Sequence, residues 1–262
     1  MNSPDSAKNF DAYYYAHGCA APYERSEALL AFFDGIAKRI ASDIQPGTVL
    51  DAGCALGFLV EALRKLGVQA YGIDVSEYAI QNVDPAIRPY CWTGSIADPF
   101  PQHYDLIVSI EVLEHMPRPE AEKAIANLCA HSDDLVFSST PFDYKEVTHF
   151  NVQPPEYWAE QFARQGFVRD VDFDGSFITP WAARFREGVQ AAQSRVAHRD
   201  ARLIARGVGY RADHPHPGVL QIIDQPRQPA AGHDRVIVEQ DQEFPLSCGC
   251  TLVIAAGEAF IR

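Results

Sequence analysis

The sequence lacks any run approaching the ~18 uninterrupted apolar residues of a membrane-spanning helix. It starts Met1-Asn2-Ser3-Pro4-Asp5-Ser6-Ala7-Lys8, with no cationic stretch leading into an apolar one. Neither a membrane span nor a secretory leader is therefore expected. Cysteine is sparse, six in 262 residues, too few for a disulfide scaffold, and a reducing, cytoplasmic compartment is expected. Cys54, Cys91 and Cys129 lie in apolar stretches and read as small buried hydrophobes. Cys248-Gly249-Cys250 has no second pair to complete a tetrahedral zinc site, so no metal is expected there. Positive charge is also short: 22 Lys and Arg against 35 Asp and Glu, a formal −13. That balance opposes long polyanions and argues against a nucleic-acid partner.

What is present is ordinary for a globular chain: 47% hydrophobic and 22% charged residues, enough to bury a core without staples. The length suits one elaborated domain, or one domain plus an extension. Residues 1–22 read as an irregular, tyrosine-rich arm containing Tyr13-Tyr14-Tyr15. Leu29, Leu30, Phe33, Ile36, Ala37 and Ile40 recur at helical spacing within 24–44, and Pro46-Gly47 ends that segment. From 48 to 173, short apolar strands alternate with amphipathic helices. Strands are expected near 48–51, 70–74, 89–92, 104–109, 134–139 and 167–173. Helices are expected over 53–66 (closed by Gly67), 77–83, 119–130 and 155–165. Such alternation predicts a parallel sheet with helices on both faces, and ligands outside the carboxyl ends of its strands. Residues 181–204 read as helical, and 236–238 and 251–256 as strands.

The first strand runs into Asp51-Ala52-Gly53-Cys54-Ala55-Leu56-Gly57. Glycines at 53 and 57 let backbone pass close beneath a ligand, and a helix N-terminus follows. The second strand ends in Asp74, an acid placed to accept both hydrogen bonds of a ribose diol. A nicotinamide site would favour G-x-G-x-x-G around a pyrophosphate. Here the spacing is G-x-x-x-G with Asp51 at its mouth, and a carboxylate there suits the ammonium of an amino-acid-like ligand.

These residues resemble the first motif of class I S-adenosylmethionine-dependent methyltransferases. Asp74 resembles their ribose-binding acid. The run Tyr104-Asp105-Leu106-Ile107-Val108-Ser109-Ile110-Glu111-Val112-Leu113-Glu114-His115 is similar to their fourth-strand motif in its E-V-L-E-H version. The resemblance covers about residues 25–175. It implies a Rossmann-like three-layer α/β sandwich whose mostly parallel seven-stranded sheet has an antiparallel last strand. It implies S-adenosylmethionine as cofactor, held by Asp51, Gly53, Cys54 and Gly57 at its methionine part and by Asp74 at the ribose. Ser95 and Ile96 would lie at the adenine, and Ile110 and Glu111 beside the sulfonium. Read by themselves, Tyr14 and Tyr23 of the arm suit either a lid over the cofactor site or ordinary packing of the arm.

The organisation implied is an N-terminal arm and helix capping the site (1–46), a cofactor-binding core (47–174) and a C-terminal extension (175–262). Within the extension, 251–256 is expected to be the last strand of the core sheet, and 175–248 an insertion over the rim that selects the acceptor. The segment from Ser139-Thr140-Pro141 to His149 and on to Trp158, with Tyr14 and Tyr23, also looks like methyltransferases linked to surface-polysaccharide and glycosyl-transfer clusters. That resemblance implies O-methylation of a sugar or saccharide-linked acceptor. N- or C-methylation of another small metabolite, quinone-type O-methylation and a catalytically silent cofactor-binding scaffold remain as alternatives.

An alcohol acceptor must lose a proton, so a general base is expected within ~3 Å, and histidine titrates in the useful range. His149, beyond the fifth strand, and His115, beyond the fourth, are the candidates, with His149 preferred. Glu111, Glu114 and His115 form an E-x-x-E-H cluster capable of binding Mg²⁺. The preferred reading assigns no metal: Glu111 shapes the pocket and His115 caps a turn. No pattern in the sequence sets the oligomeric state.

Overall fold

The computed structural model describes residues 9–19 and 22–188, and beyond them the backbone of four short strands within 235–261. The chain divides into two units, Met1–Gly188 and Val189–Arg262. The first holds a seven-stranded sheet of order β3-β2-β1-β4-β5-β7-β6. Its strands are β1 (Thr48–Ala52), β2 (Gln69–Asp74), β3 (Cys91–Thr93), β4 (Leu106–Ile110), β5 (Asp134–Ser138), β6 (Phe167–Asp170) and β7 (Ala183–Glu187). The first five pair in parallel, and β7 runs antiparallel to both β5 and β6. The order reverses at β1 and β4. Their carboxyl ends, Asp51-Ala52 and Ile110, therefore open onto one crevice, where parallel sheets place ligands.

Helices α1 (Ala12–His17), α2 (Glu27–Asp43), α3 (Phe58–Lys65), α4 (Glu77–Gln81), α5 (Arg118–His131) and α6 (Pro155–Arg164) complete this unit. Alternate strand residues face opposite layers. Val49, Leu106 and Val108 pack with Ile36 and Ile40 of α2 and Leu59 and Leu63 of α3. Leu50, Ile107 and Phe137 pack with Ile125 of α5 and Trp158 and Phe162 of α6. The result is the expected three-layer sandwich, its central strands buried on both faces. Ser26 caps α2 by accepting the Leu29 N–H, and Gly67 follows α3 at φ +85°, as a helix-ending glycine does.

Three expectations are corrected. The antiparallel last strand is β7, inside the segment read as helical from 181 to 204. Ala183 and Phe185 are buried while Arg184 between them is partly exposed and Arg186 after them exposed, a period of two rather than 3.6. Arg184 bridges Asp134 and Asp170, which ties β7 to both neighbours. Residues 189–204 lie outside the described residues. Second, Leu252–Ala255, within the run 251–256, is not a strand of the core sheet. It pairs with Glu258–Ile261 and Arg235–Val238 in a four-stranded sheet of its own, so the insertion reading of 175–248 fails. An apolar run of that length suits either sheet, and period alone cannot choose between them. Third, the arm is not irregular: Asp11 accepts the N–H groups of Tyr13 and Tyr14 and starts α1.

Candidate active site

The loop after β1 supplies the floor of the site. Gly53 sits at φ +94° and Gly57 at φ +74°, and a side chain at 53 would collide with Val112. The N–H groups of Gly53 and Cys54 donate to the Ile73 carbonyl at 2.8 and 3.0 Å, turning the loop back onto β2. Asp74 fixes it further. One of its oxygens accepts the Ala55 N–H and the other the Ser76 N–H, each at 2.8 Å. Ala55 itself is left-handed at φ +46°, a conformation that this bond helps to hold. Asp74 is thus an organiser of the loop as well as the candidate ribose acid, each oxygen keeping a second lone pair.

A cavity of about 450 Å³ lies above this floor. Asp51, Gly53, Cys54 and Asp74 line it, as do Ser95, Ile96, Ile110 and Glu111. Gly57 does not. It is the N-cap of α3, packed under Ile87, and its role is to let the chain enter the helix. Cys54 is buried and its thiol lies over Gly72, so it contributes wall rather than reactivity. Burial, reinforced by Asp74, pushes the Asp51 carboxyl up to about 8. Asp74 is likewise raised by burial, partly offset by its backbone donors. No cation pairs with Asp51 among the described residues. Two adjacent buried acids facing a cavity form a site for a cationic ligand. The ammonium and sulfonium of S-adenosylmethionine fit that requirement, whereas a pyrophosphate does not.

At another part of the cavity lining, Ser95 Oγ accepts the Ala97 N–H at 3.1 Å, and Ile96 is held through its carbonyl by Asn127. β4 delivers Glu111 in a left-handed conformation, φ +54°. The Trp181 indole N–H donates to Glu111 Oε1 at 2.9 Å and holds that carboxylate from the far side of the chain.

The acceptor end is a cluster from three segments. His115 follows β4, and His149 lies in the loop after β5. Their rings are 4.6 Å apart. His149 Nδ1 lies 2.7 Å from the Asp143 carbonyl, and its Nε2 lies 3.3 Å from Glu146 Oε2. His115 Nδ1 lies 3.0 Å from Thr148 Oγ1, which donates to Glu146 Oε1 at 2.7 Å. Tyr14 of α1 donates to the same oxygen at 2.9 Å. Burial, then the neighbouring His149, pushes His115 down to about 4, so it is neutral at pH 7. Glu114 is fully buried, and burial and the proximity of Glu111 push its carboxyl well above the usual carboxylate range.

Two donor groups, Glu114–His115–His149 and Asp143–Glu146–His149, bring atoms within 4.8 Å of one another. Glu146 accepts two hydroxyls and lies 3.3 Å from His149 Nε2, whereas Glu114 Oε2 is buried without a hydrogen-bond partner among the described residues.

The arm closes over both ends. The Ser76 hydroxyl donates to the Phe10 carbonyl at 2.5 Å, and Tyr15 stacks on Tyr78 at 5.6 Å. Tyr23 packs against Phe58 beside Asp51, and its hydroxyl is raised by burial and that carboxylate. Tyr14 and Tyr23 therefore both reach the cavity, but at opposite ends. The structure adds Phe10, Tyr15, Glu146, Thr148 and Trp181 to the residues read from the sequence. Tyr15 stood in the same tyrosine run. Trp181 acts across 70 residues on Glu111, and Glu146 joins its own loop to Tyr14 across 132, separations that no local pattern marks.

The fold and the paired-acid cleft define a class I S-adenosylmethionine-dependent methyltransferase. A family model described as a methyltransferase domain matches residues 23–170, more than half of the chain, and the chain belongs to that family. Among curated relatives, the ubiquinone biosynthesis O-methyltransferase of Methylococcus capsulatus is 34% identical over 99 residues, 35% of this chain and 42% of the relative. That of Alkalilimnicola ehrlichii is 28% identical over 141 residues, 48% of this chain and 56% of the relative. The chain thus spans about half the length of these relatives. The Coxiella burnetii protein of the same name is 34% identical over 163 residues, 52% of this chain and 70% of the relative. Magnesium protoporphyrin IX methyltransferase of Synechocystis, solved with bound S-adenosylmethionine, shares the fold at a TM-score of 0.53 and 19% identity, covering 72% of this chain and all of that one. Among the described residues no helix is long and apolar enough to cross a membrane.

Proposed function

We propose that this methyltransferase O-methylates a small phenolic or catechol-like acceptor, with His149 as the general base. The observation that carries the reading is the character of the cavity beside the two histidines. Phe10, Tyr14 and Met116 make the wall there apolar and aromatic, and Phe32 and Phe33 continue it toward Tyr23 and Phe58. A saccharide would need several free polar groups to receive its hydroxyls. Here His115, Thr148, Glu146 and the Tyr14 hydroxyl are already bonded to one another. The relatives' name, ubiquinone biosynthesis O-methyltransferase, supports a phenolic hydroxyl and gives the saccharide reading no support.

Asp51, Gly53, Cys54 and Asp74, with Ser95, Ile96, Ile110 and Glu111, would hold the cofactor. When bound it supplies an activated methyl group on sulfur. The protein's part is to align the acceptor oxygen with that methyl, to exclude water and to take the hydroxyl proton. Exclusion of water falls to the arm, through Phe10, Tyr14 and Tyr15. Proton acceptance falls to His149, whose Nδ1–H is fixed by the Asp143 carbonyl, leaving Nε2 as the atom that gains and loses a proton. His115, neutral beside it, is a second polar contact for the acceptor.

The test is transfer of labelled methyl from S-adenosylmethionine to a panel of catechols, phenols, saccharides and amines. Label in catechol or phenol products, abolished in His149→Ala with cofactor binding retained, supports the proposal. Label in saccharides or amines but not in phenols refutes it. Cofactor binding without transfer to any member would point to a silent scaffold.

A further inference from the structure

The base does not stand alone, and its support comes partly from outside the sheet. Glu146 turns one carboxylate oxygen, Oε2, to His149 Nε2 at 3.3 Å. The other, Oε1, receives two hydroxyls, Thr148 at 2.7 Å from its own loop and Tyr14 at 2.9 Å from α1. Hydrogen-bond direction makes this arrangement informative. A carbonyl only accepts, so the Asp143 oxygen requires a proton on His149 Nδ1. In the neutral ring, Nε2 then presents a lone pair toward the acceptor end. Once it has taken a proton, the adjacent carboxylate stabilises the imidazolium. Two hydroxyl donors on Oε1 fix the rotamer of that carboxylate and leave Oε2 beside the imidazole. The other charged or titratable groups around His149 do not compete. Burial pushes Glu114 well above the usual carboxylate range, His115 is neutral, and Asp143 Oδ2 is 3.9 Å from Nδ1.

We infer that Glu146 is a positioning residue that orients His149 and stabilises its imidazolium, and that the Tyr14 hydroxyl completes this pair only when the N-terminal arm is docked. This rests on the reading of His149 as base. Its balance is simple: the acceptor O–H bond breaks, the proton goes to Nε2, and the oxygen pair forms the bond to the methyl carbon as the carbon–sulfur bond breaks. Docking of the arm is anchored at the cofactor end by Ser76 and Tyr78, so one α-helical turn connects the two ends of the site. Water exclusion and base activation then arrive together.

The experiment measures kcat, acceptor KM and cofactor affinity for Glu146→Gln, Glu146→Asp, Tyr14→Phe and His149→Ala in the full chain. A catechol that the wild-type protein methylates serves as acceptor. Glu146→Gln should lower kcat by about 10- to 100-fold, within the range of acid–base contributions, with cofactor affinity unchanged and acceptor KM changed less than threefold. Glu146→Asp should recover part of that loss, since it restores charge at a shorter reach. Tyr14→Phe should lower kcat by about three- to tenfold, and should cost nothing further in the Glu146→Gln background. Wild-type kcat in Glu146→Gln, or additive losses in the double variant, would overturn the inference. If Glu146→Gln fails to fold, Tyr14→Phe decides: a loss confined to kcat upholds the pairing, and a loss confined to cofactor affinity refutes it. Turnover retained in His149→Ala would instead refute the base assignment itself. Loss in His149→Ala with none in Glu146→Gln would refute only the inference.

Discussion

Asp51→Asn separates what the cleft is built for from what holds the protein together. In the wild-type protein without ligand, the Asp51 carboxyl is pushed up to about 8 by burial and by Asp74. An unfolded aspartate titrates near ~3.9. The folded state thus binds more protons across that window, and stability must fall as pH rises from about 4 to about 8. Four units at ~1.4 kcal/mol each set an upper limit of about 5 kcal/mol, and relaxation around the pair brings the expected figure to roughly 2–4 kcal/mol. An asparagine of the same shape carries no charge and removes this cost. The ligand-free variant should therefore be more stable at pH 8, by roughly 5–10 °C in melting temperature for a unit of this size, and its pH dependence between 4 and 8 should flatten. The same substitution removes the partner of the cofactor's ammonium, so S-adenosylmethionine should bind roughly 10- to 100-fold more weakly. Wild-type affinity should rise with pH up to about 8, because the carboxylate must ionise to pair. Thermal melts and titration calorimetry over pH 5–9 read both quantities. A ligand-free variant less stable than wild type at pH 8, or a cofactor affinity independent of pH, would refute the reasoning.

Further expectations follow from single contacts. Gly53→Ala places a side chain at φ +94° against Val112. It should destabilise the protein by about 1–3 kcal/mol and weaken cofactor binding at least tenfold, as read by melting and calorimetry. Phe162→Ala removes the ring stacked 4.2 Å from Phe185, and denaturant unfolding should report a loss of about 3–5 kcal/mol. A surface-like cost would contradict the place of β7 in the core. Arg184→Ala leaves Asp134 and Asp170 partly buried without their cation and should cost about 2–4 kcal/mol with kcat unchanged. Exhaustive treatment with a chelator should leave methyl transfer intact, because Glu146 beside His149 already accepts two hydroxyls. A loss restored by Mg²⁺ would overturn the reading without a metal.

Much of this architecture is written locally. Alternating apolar runs between 48 and 173 predict strands and helices close to those found, because the central strands β1, β4 and β5 are buried on both faces and the helices turn an apolar stripe to the sheet. The glycine loop, Asp74 and the end of β4 are legible because backbone geometry and charge at a strand end constrain only a few residues. What escapes is non-local. Residues 183–187 form a strand only because Asp134, Asp170 and Phe162 are there to receive Arg184 and Phe185. Residues 251–256 have the composition of a core strand, yet Leu252–Ala255 pairs elsewhere. Gly57 has the loop spacing of a ligand contact, and its left-handed geometry, which the spacing does not show, starts α3. Glu146 and Tyr14 meet across 132 residues, a separation at which no motif spacing operates.

The most direct measurement is a crystal structure of the full chain with S-adenosylhomocysteine and a catechol that it methylates. The account predicts the homocysteine amino group at Asp51, the ribose hydroxyls at Asp74 and the reacting hydroxyl within ~3 Å of His149 Nε2. A catechol bound with that hydroxyl remote from both histidines, or a cofactor whose amino group avoids Asp51, would contradict it.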